Sequence, residues 1–325
     1  MEGLRRFAAW ILLGALAGGT GGVVAQTYPA KPMRIIVPFG AGATLDLMAR
    51  AFGQKFTDAW GQVTVVEPRI GVGGTIAADV VAKSAPDGYT LLLTTTGQAI
   101  SPSLYRRLPY DPANDFSPVT QIISTYLVLV CNAKLPVTSV KELIALAKSK
   151  PGKLNFAHPG VGSSPHLVEE MLRLQSGIDV VTVPYKNSGP LLVELLAGDV
   201  QFVWLPPTDV LEHVNRGRLR ALAVSGTTHA SALPNIPTMS EAGVRNVEYV
   251  GWVGLFAPAG TPNDVIAKVS REVAQDLRMP DIAARLAGWG GEAAGTTPEQ
   301  FAARYKSDIA KYAKIIKEAG IPTMD

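Results

Sequence analysis

The stretch "VPFGAGATLDLMAR", from Val37 to Arg50, decides the fold. It ends an apolar, strand-like run, turns through a short loop of Gly and Ala, and enters a helix-like segment at Thr44. A strand that passes through such a turn directly into a helix is typical of α/β sheets. The loop lacks the Gly-Lys-Ser/Thr of a P-loop, and Leu45 stands where a dinucleotide fingerprint has its third glycine. The sequence therefore predicts a βα unit with a bare helix start.

The same alternation of strand-like and helix-like segments continues as far as Ser225, which predicts parallel sheets flanked by helices. The segment Ile122–Asn132 is largely apolar and predicts one extended strand. The last third is mostly helical, with segments at Pro262–Met279, Asp281–Gly288 and Pro298–Ala319. The predicted fold class is α/β.

Two apolar segments, Gln121–Ala133 and Val247–Pro262, enclose a self-contained set of βα units and are candidates for crossings between two lobes. We expect a discontinuous first lobe formed by residues 26–126 and 251–325, and a second lobe formed by residues 127–250. The alternative is one continuous doubly wound domain. In two-lobed sheets of this kind, ligands bind in the crevice at the carboxyl ends of the strands.

The N-terminus resembles a secretory signal. Arg5 and Arg6 precede an apolar run, and small residues follow up to Ala25. The run is shorter than the roughly 20 residues of a membrane span. We therefore expect cleavage after about Ala25, which makes residues 1–25 a signal peptide and places the mature protein in the periplasm; a retained N-terminal anchor is the alternative.

Composition and motifs argue against several function classes. The formal charge is only +3 over 325 residues, without a basic run, so nucleic acid is not an expected partner. No G-x-S-x-G, H-E-x-x-H or C-x-x-C occurs, and Cys131 is the single cysteine. His158 and His166 form the one close histidine pair, and ordinary helix or loop histidines are a better interpretation than metal ligands. We expect no enzyme activity, no metal and no cofactor.

Hydroxyl residues recur at predicted helix starts that follow strands. Thr44 follows the first glycine loop, Ser163 and Ser164 precede a helix with Pro165 in its first turn, and Ser188 precedes another. A helix start offers free backbone N–H groups and the positive end of the helix dipole, which together bind small anions without Lys or Arg. Plain N-caps are the alternative for each residue taken alone.

The collinear motifs resemble those of a known family. "YPAKPMRIIVPFGAGATLDLMAR", "SVKELIALAKSKPGKLNFAHPGVGSSPHL" and "LPNIPTMSEAG" are similar to the corresponding segments of Bug (Bordetella uptake gene) proteins, which are TctC-like receptors of tripartite tricarboxylate transporters. The resemblance covers nearly the whole mature chain. It implies a Venus-flytrap fold of the periplasmic-binding-protein type, type II-like, with two Rossmann-like lobes joined by two crossing strands.

The resemblance also implies three pocket loops and a wall after the strand that ends at Leu205. Asp46 has three interpretations: it orients the loop or an ordered water, pairs with a ligand ammonium, or caps its own helix. The candidate ligand-binding residues are Phe39, Gly40, Ala41, Gly42, Thr44, Asp46, Thr95, Thr96, Gln98, Gly162, Ser163, Ser164, Tyr185, Trp204 and Leu205.

Leu205-Pro206 replaces a polar Asp-Asn pair that many members of the family carry. With Trp204, this change predicts an apolar wall and hence a carboxylate with an apolar body; the alternative is that Trp204 and Leu205 are core residues. The function implied is capture of a small carboxylate, by a monomer, and its delivery to the permease subunits of a tripartite tricarboxylate transporter. The alternative is a periplasmic sensor that presents the carboxylate to a sensor kinase.

Overall fold

The computed structural model describes residues 28–185 and 188–324. The signal peptide expected at residues 1–25 lies outside the described residues. Every element described below lies within Lys31–Asp325, which forms one compact unit. Within the described residues, no helix combines the length and apolar character needed to cross a membrane.

The described part of the chain alternates strands with helices, as the sequence predicts. The strands are β1 Met33–Val37, β2 Thr64–Pro68, β3 Thr90–Thr95, β4 Phe116–Thr125, β5 Val128–Asn132, β6 Asn155–His158, β7 Val181–Pro184, β8 Phe202–Leu205, β9 Leu219–Val224, β10 Gly251–Pro258 and β11 Gly291–Ala293. The helices are α1 Thr44–Trp60, α2 Thr75–Ala82, α3 Gly97–Leu104, α4 Val140–Ser149, α5 Ser164–Ser176, α6 Ser188–Ala197, α7 Pro207–Asn215, α8 Asn263–Asp276, α9 Pro280–Leu286 and α10 Pro298–Ala319. Short 3-10 turns occupy Val72–Gly74 and Ala287–Trp289.

Two sheets organise these elements into two lobes. The first lobe contains a six-stranded sheet in the order β11-β4-β10-β3-β1-β2, and the second a five-stranded sheet in the order β7-β6-β8-β5-β9. In the first sheet β1 pairs in parallel with β2 and β3, whereas β10 runs antiparallel to β3 and β4. The start of β10 therefore lies beside the end of β3.

The prediction of a single strand over Ile122–Asn132 is wrong. The chain leaves the first sheet after Thr125 and enters the second at Val128, so that β4 and β5 belong to different sheets. Both strands are largely buried, and the apolar pattern is therefore continuous across the break at Tyr126 and Leu127. The chain returns to the first sheet between β9 and β10.

The second sheet is covered on both faces. Along β8, Phe202 and Trp204 belong to one apolar cluster, and Val203 and Leu205 belong to another. This alternation follows from the two-residue period of a strand. The cluster that contains Trp204 also includes first-lobe residues such as Phe256, and α10 packs against both α3 and α5. The two lobes thus share part of one core.

Candidate functional site

A cleft of about 520 Å³ lies between the two lobes, at the carboxyl ends of their strands. Strand ends and helix starts of both sheets contribute to it, as expected for ligand crevices in α/β folds. Its lining residues include four that the sequence singles out: Phe39, Thr95, Thr96 and Ser164.

On the first-lobe side, Phe39 follows β1 and is 46% exposed. Thr95 and Thr96 stand where β3 ends and α3 begins. The Thr95 hydroxyl accepts a hydrogen bond from the Gly97 N–H at 3.4 Å, and the buried Thr96 hydroxyl accepts one from the Trp252 N–H at 2.8 Å. Both hydroxyls therefore accept hydrogen bonds from backbone N–H groups, and both residues also line the cleft.

The loop Gly40–Ala43 leads into α1, but its geometry differs from the expected cap. Ala43 is the N-cap and Thr44 is the first helical residue. Thr44 is exposed and is not among the residues that line the cleft, and no hydrogen bond from its hydroxyl is seen among the described residues. The loop places the backbone N–H groups of the first turn of α1 next to this hydroxyl, and such groups have no partner within a helix.

Asp46 orients this loop. Its carboxylate is 1% exposed; it accepts the Gly42 N–H at 2.9 Å and pairs with Arg50 through two contacts of 2.9 and 3.0 Å. Burial acts to raise the pKa of Asp46, but the hydrogen bonds from Arg50 and Gly42 outweigh it and the pKa is lowered. Both carboxylate oxygens have partners within the protein, an arrangement that fits the loop-orienting and helix-capping interpretations.

On the second-lobe side, the cleft is lined by Pro159 after β6, by Ser164 and Pro165 at the start of α5, and by Ser188 at the start of α6. Ser163 caps α5: its hydroxyl donates to the Gly160 carbonyl at 2.7 Å and accepts the His166 N–H at 3.4 Å. The hydroxyl that reaches the cleft is therefore that of Ser164.

Tyr249 joins the segment between the lobes to this helix start. Its hydroxyl donates to Ser164 Oγ at 2.7 Å. Burial raises the pKa of Tyr249, so its phenol is a neutral hydrogen-bond donor. Because Ser164 Oγ accepts from Tyr249, the Ser164 proton is free to donate to a molecule in the cleft.

Trp204 and Leu205 do not form the expected apolar wall. Both are fully buried in β8, the middle strand of the second sheet, with Trp204 packed on one face and Leu205 on the other. They are core residues, which was the alternative interpretation. The wall is formed instead by Pro206, the residue that follows the strand, together with Thr208.

Several other expected residues lie outside the lining of the cleft. Gln98 is buried in α3, and Tyr185 packs against the core of the second lobe. Gly162 has a φ of 74°, and a side chain there would overlap Leu104 of the first lobe. Its role in the structure is a close contact between the lobes.

Sequence reasoning missed most of the aromatic lining. Tyr126, Tyr249, Trp252 and Trp289 all border the cleft. The first three lie in the two predicted crossing segments, Gln121–Ala133 and Val247–Pro262, where apolar residues also belong to the core. An aromatic residue within a predicted crossing segment is the signal that was present, whereas nothing in the local pattern marked Trp289.

The polar groups of the cleft are neutral. None of the described residues that line it is Lys, Arg, His, Asp or Glu. Its donors are hydroxyls of Ser, Thr and Tyr and the backbone of helix starts, and its remaining surface is largely aromatic and prolyl, with Leu127 and Val253. In the described part of the chain, no group of three or more His, Cys, Asp and Glu is arranged to hold a metal ion. The arrangement fits a small molecule with an anionic end and an apolar part.

Comparisons with known proteins point to one family. Residues 48–321 match the family described as "Tripartite tricarboxylate transporter family receptor". The chain is 38% identical over 308 residues to "Protein BugT" of Bordetella pertussis, which covers 94% of each chain.

Two solved structures share the fold. The periplasmic binding protein BugD matches with a TM-score of 0.75 and 31% identity, over 91% of this chain and 100% of that one. R. palustris Rpa4515, solved with adipate, matches with a TM-score of 0.78 and 34% identity, over 91% of this chain and 100% of that one. The expected two-lobed flytrap fold is thereby confirmed.

Proposed function

This chain belongs to the tripartite tricarboxylate transporter receptor family, and on that premise we propose that it captures a small carboxylate between its two lobes and delivers it to a tripartite tricarboxylate-type membrane transporter. The family consists of solute-binding receptors rather than enzymes. The proposal includes export to the periplasm, removal of residues 1–25 and action as a monomer.

The observation that carries the proposal is the neutral cleft at the helix starts of both lobes. A carboxylate there accepts hydrogen bonds from hydroxyls and from N–H groups at the positive ends of helices. Each charge-assisted bond contributes roughly 1.5–3 kcal/mol, so three or four of them approach the roughly 8 kcal/mol of a micromolar ligand. In our proposal Thr44 supplies such a bond from the first lobe and Ser164 from the second.

The rest of the lining supports an apolar body for the ligand. Phe39, Tyr126, Trp289 and Pro206 offer apolar surface, and the described cleft residues include no carboxylate to receive an ammonium group. A polar amino acid would bury its ammonium without a partner, which is costly. The relative solved with adipate binds an acid whose two carboxylates are joined by a methylene chain.

Ligand-driven closure is the proposed mechanism. We assign residues 26–126 and 251–325 to one lobe and 127–250 to the other, with hinges near Tyr126–Val130 and Val250–Val253. A carboxylate that bonds donors of both lobes favours the closed form, because that form satisfies both sets of donors at once. Delivery to the permease then begins from the closed form.

Thermal melting of residues 26–325 against a panel of small carboxylates tests the proposal. At about 100 times its dissociation constant, a specific ligand adds roughly 2.7 kcal/mol to the stability of the folded state, which gives a clear rise in Tm. We expect a rise with mono- or dicarboxylic acids that have an apolar body. A rise in Tm confined to citrate or aspartate would overturn the claim that the ligand has an apolar body. The absence of any rise would overturn the proposal that the protein is a carboxylate receptor. Uptake of the identified acid by cells lacking the gene tests the delivery step.

A further inference from the structure

Two buried histidines flank the second-lobe loop that borders the cleft. His158 ends β6 and His166 lies in the first turn of α5, with exposures of 1% and 6%. Their rings are stacked, with centroids 4.0 Å apart and an angle of 23° between the planes. The loop between them begins at Pro159 and ends at Ser164, and both of these residues line the cleft.

Each ring accepts a backbone N–H of this loop. The Gly160 N–H donates to His158 Nδ1 at 3.3 Å, and the Gly162 N–H donates to His166 Nδ1 at 2.9 Å. A nitrogen that accepts a hydrogen bond carries no proton, so both rings must be neutral with the proton on Nε2. Both glycines have positive φ, 147° and 74°, a conformation that glycine adopts readily and other residues rarely adopt.

From this geometry we propose that the neutral His158–His166 pair positions the loop Pro159–Ser164, and so sets where Ser164 meets a ligand. The inference rests on the proposed function, because it treats Ser164 as a ligand contact. Protonation of either ring at Nδ1 would place that N–H donor against the N–H of the loop glycine. It would also put a positive charge on one of the two stacked rings. The loop would then lose its support.

The surroundings keep the pair neutral. Burial lowers the pKa of both histidines, and repulsion from His158 and Arg173 assists in taking that of His166 to about 4. The carboxylate of Glu170 lies 3.9 Å from His166 Nε2, but this carboxylate already forms an ion pair with Arg173 at 2.6 Å. Burial raises the pKa of the neighbouring Glu169 to about 9, so its carboxyl is neutral at pH 7.

Charged groups on the other elements packed here have partners of their own. On α10, which packs against α5, Arg304 pairs with Asp308 at 2.8 Å, and Lys311 donates to the Glu248 carbonyl at 2.9 Å. Of the two tyrosines at this site, Tyr185 after β7 is partly buried and Tyr249 on Ser164 is buried, and removal from water raises the pKa of both. Neither is charged in the range where histidine titrates.

The first test needs no ligand. Long-range ¹H–¹⁵N spectra of residues 26–325 report the tautomer and charge of each of the four histidines. We expect the Nε2–H tautomer for both His158 and His166, with His166 still neutral at about pH 5.5 and His158 titrating below the ordinary histidine pKa of about 6.5. The exposed His229, whose pKa is raised by the Pro234 carbonyl and by Glu241, should be charged there. An Nδ1–H tautomer, or titration near pH 6.5, would overturn the proposal.

The second test compares two variants of one site. Asn carries an acceptor oxygen where His carries Nδ1, whereas Leu has a methyl group there. In ligand-free protein, His166→Leu should speed hydrogen exchange of the Gly162 amide at least tenfold, and His166→Asn should leave it protected. Equal exchange in both variants would overturn the proposal, and His229→Asn is the control.

The third test links the loop to binding, with adipate as probe. At pH 7.5 we expect His166→Leu to weaken binding about tenfold, as loss of one well-placed hydrogen bond does, and His166→Asn to remain within about threefold of wild type. Between pH 7.5 and pH 4, wild type should lose affinity relative to His166→Asn, because His166 becomes protonated and Asn does not. Protonation of adipate lowers the affinity of both proteins equally and cancels in their ratio. A constant ratio would refute the role in binding. If wild type binds no adipate, that result counts against the proposed ligand class, and the first two tests still decide the positioning role.

Discussion

Ser164→Ala tests the ligand contact in the second lobe most directly. Ser164 Oγ accepts from Tyr249 at 2.7 Å, which leaves its own proton for the ligand carboxylate. Loss of one hydrogen bond to a charged group costs roughly 1.5–3 kcal/mol, so we expect affinity to fall about 10- to 100-fold. The substitution should also lower the free energy of unfolding by about 1–3 kcal/mol, because the buried Tyr249 hydroxyl loses its acceptor, while the cap of α5, Ser163, is unchanged.

Tyr249→Phe separates orientation from contact. It leaves Ser164 in place without the donor that directs its proton, and should weaken binding by about 1 kcal/mol, close to fivefold. If Tyr249 acts through Ser164, the double variant should bind no more weakly than Ser164→Ala, so the two effects should not add. Ser176→Ala, at the other end of the same helix, is the matched control, because its hydroxyl donates to the Leu172 carbonyl of its own helix.

Titration calorimetry with the acid found by melting measures these affinities. Fluorescence is a second readout, since Trp252 and Trp289 border the cleft. Wild-type affinity in Ser164→Ala would refute the assignment of this hydroxyl to the ligand. Additive losses in the double variant would show that Tyr249 contacts the ligand independently.

Three further substitutions test the loops on either side. Thr44→Ala should weaken binding about tenfold in a calorimetric titration, while Thr44→Ser stays near wild type; equal affinities would limit Thr44 to a place in the helix start. Asp46→Asn should lower the free energy of unfolding at pH 7 by about 1–3 kcal/mol in urea, because it weakens the bonds to Arg50 and to the loop. Since the pKa of Asp46 is lowered by folding, its contribution is present above the ordinary value of about 3.9 and is lost as pH falls through the lowered pKa, so the difference from wild type should shrink towards about pH 3. Gly162→Ala should destabilise the fold by about 1–3 kcal/mol through its positive φ and its overlap with Leu104, and Leu104→Ala should recover part of that loss in thermal melting.

Helices were predictable where local signals agree. The start predicted for α1, Thr44, and the bounds predicted for α10, Pro298–Ala319, match the structure. In α10, Thr297 and Gln300 form a capping box, and Gly320 ends the helix in the left-handed conformation. Both ends of the helix are therefore determined by residues close to them in the sequence. Such signals need no knowledge of the rest of the chain.

Burial could not be predicted in the same way. Trp204 and Leu205 end a strand, and their exposure depends on whether that strand lies in the middle of a sheet, which is set by pairing with distant segments. The break at Tyr126 could not be predicted for the same reason. β4 and β5 are both largely buried, each in a different sheet, so the apolar pattern runs on without a signal for the break. Tyr249 was missed as a ligand-site residue because its partner, Ser164, lies 85 residues away.

The polar groups and the apolar surface of the cleft have different roles in the proposed recognition of a ligand. In the proposed function, hydroxyls and helix starts bind the carboxylate that all candidate acids share, so they contribute affinity but little selectivity. The apolar surface distinguishes one acid from another, because each buried methylene contributes about 0.8 kcal/mol, or close to fourfold in affinity. Pro206 lies on that surface, and it is the member of the Leu205-Pro206 pair whose side chain reaches the cleft. In the proposed function, a change from a polar residue to proline at this position therefore acts on which acid is selected and leaves the proposed donors, Thr44 and Ser164, unchanged.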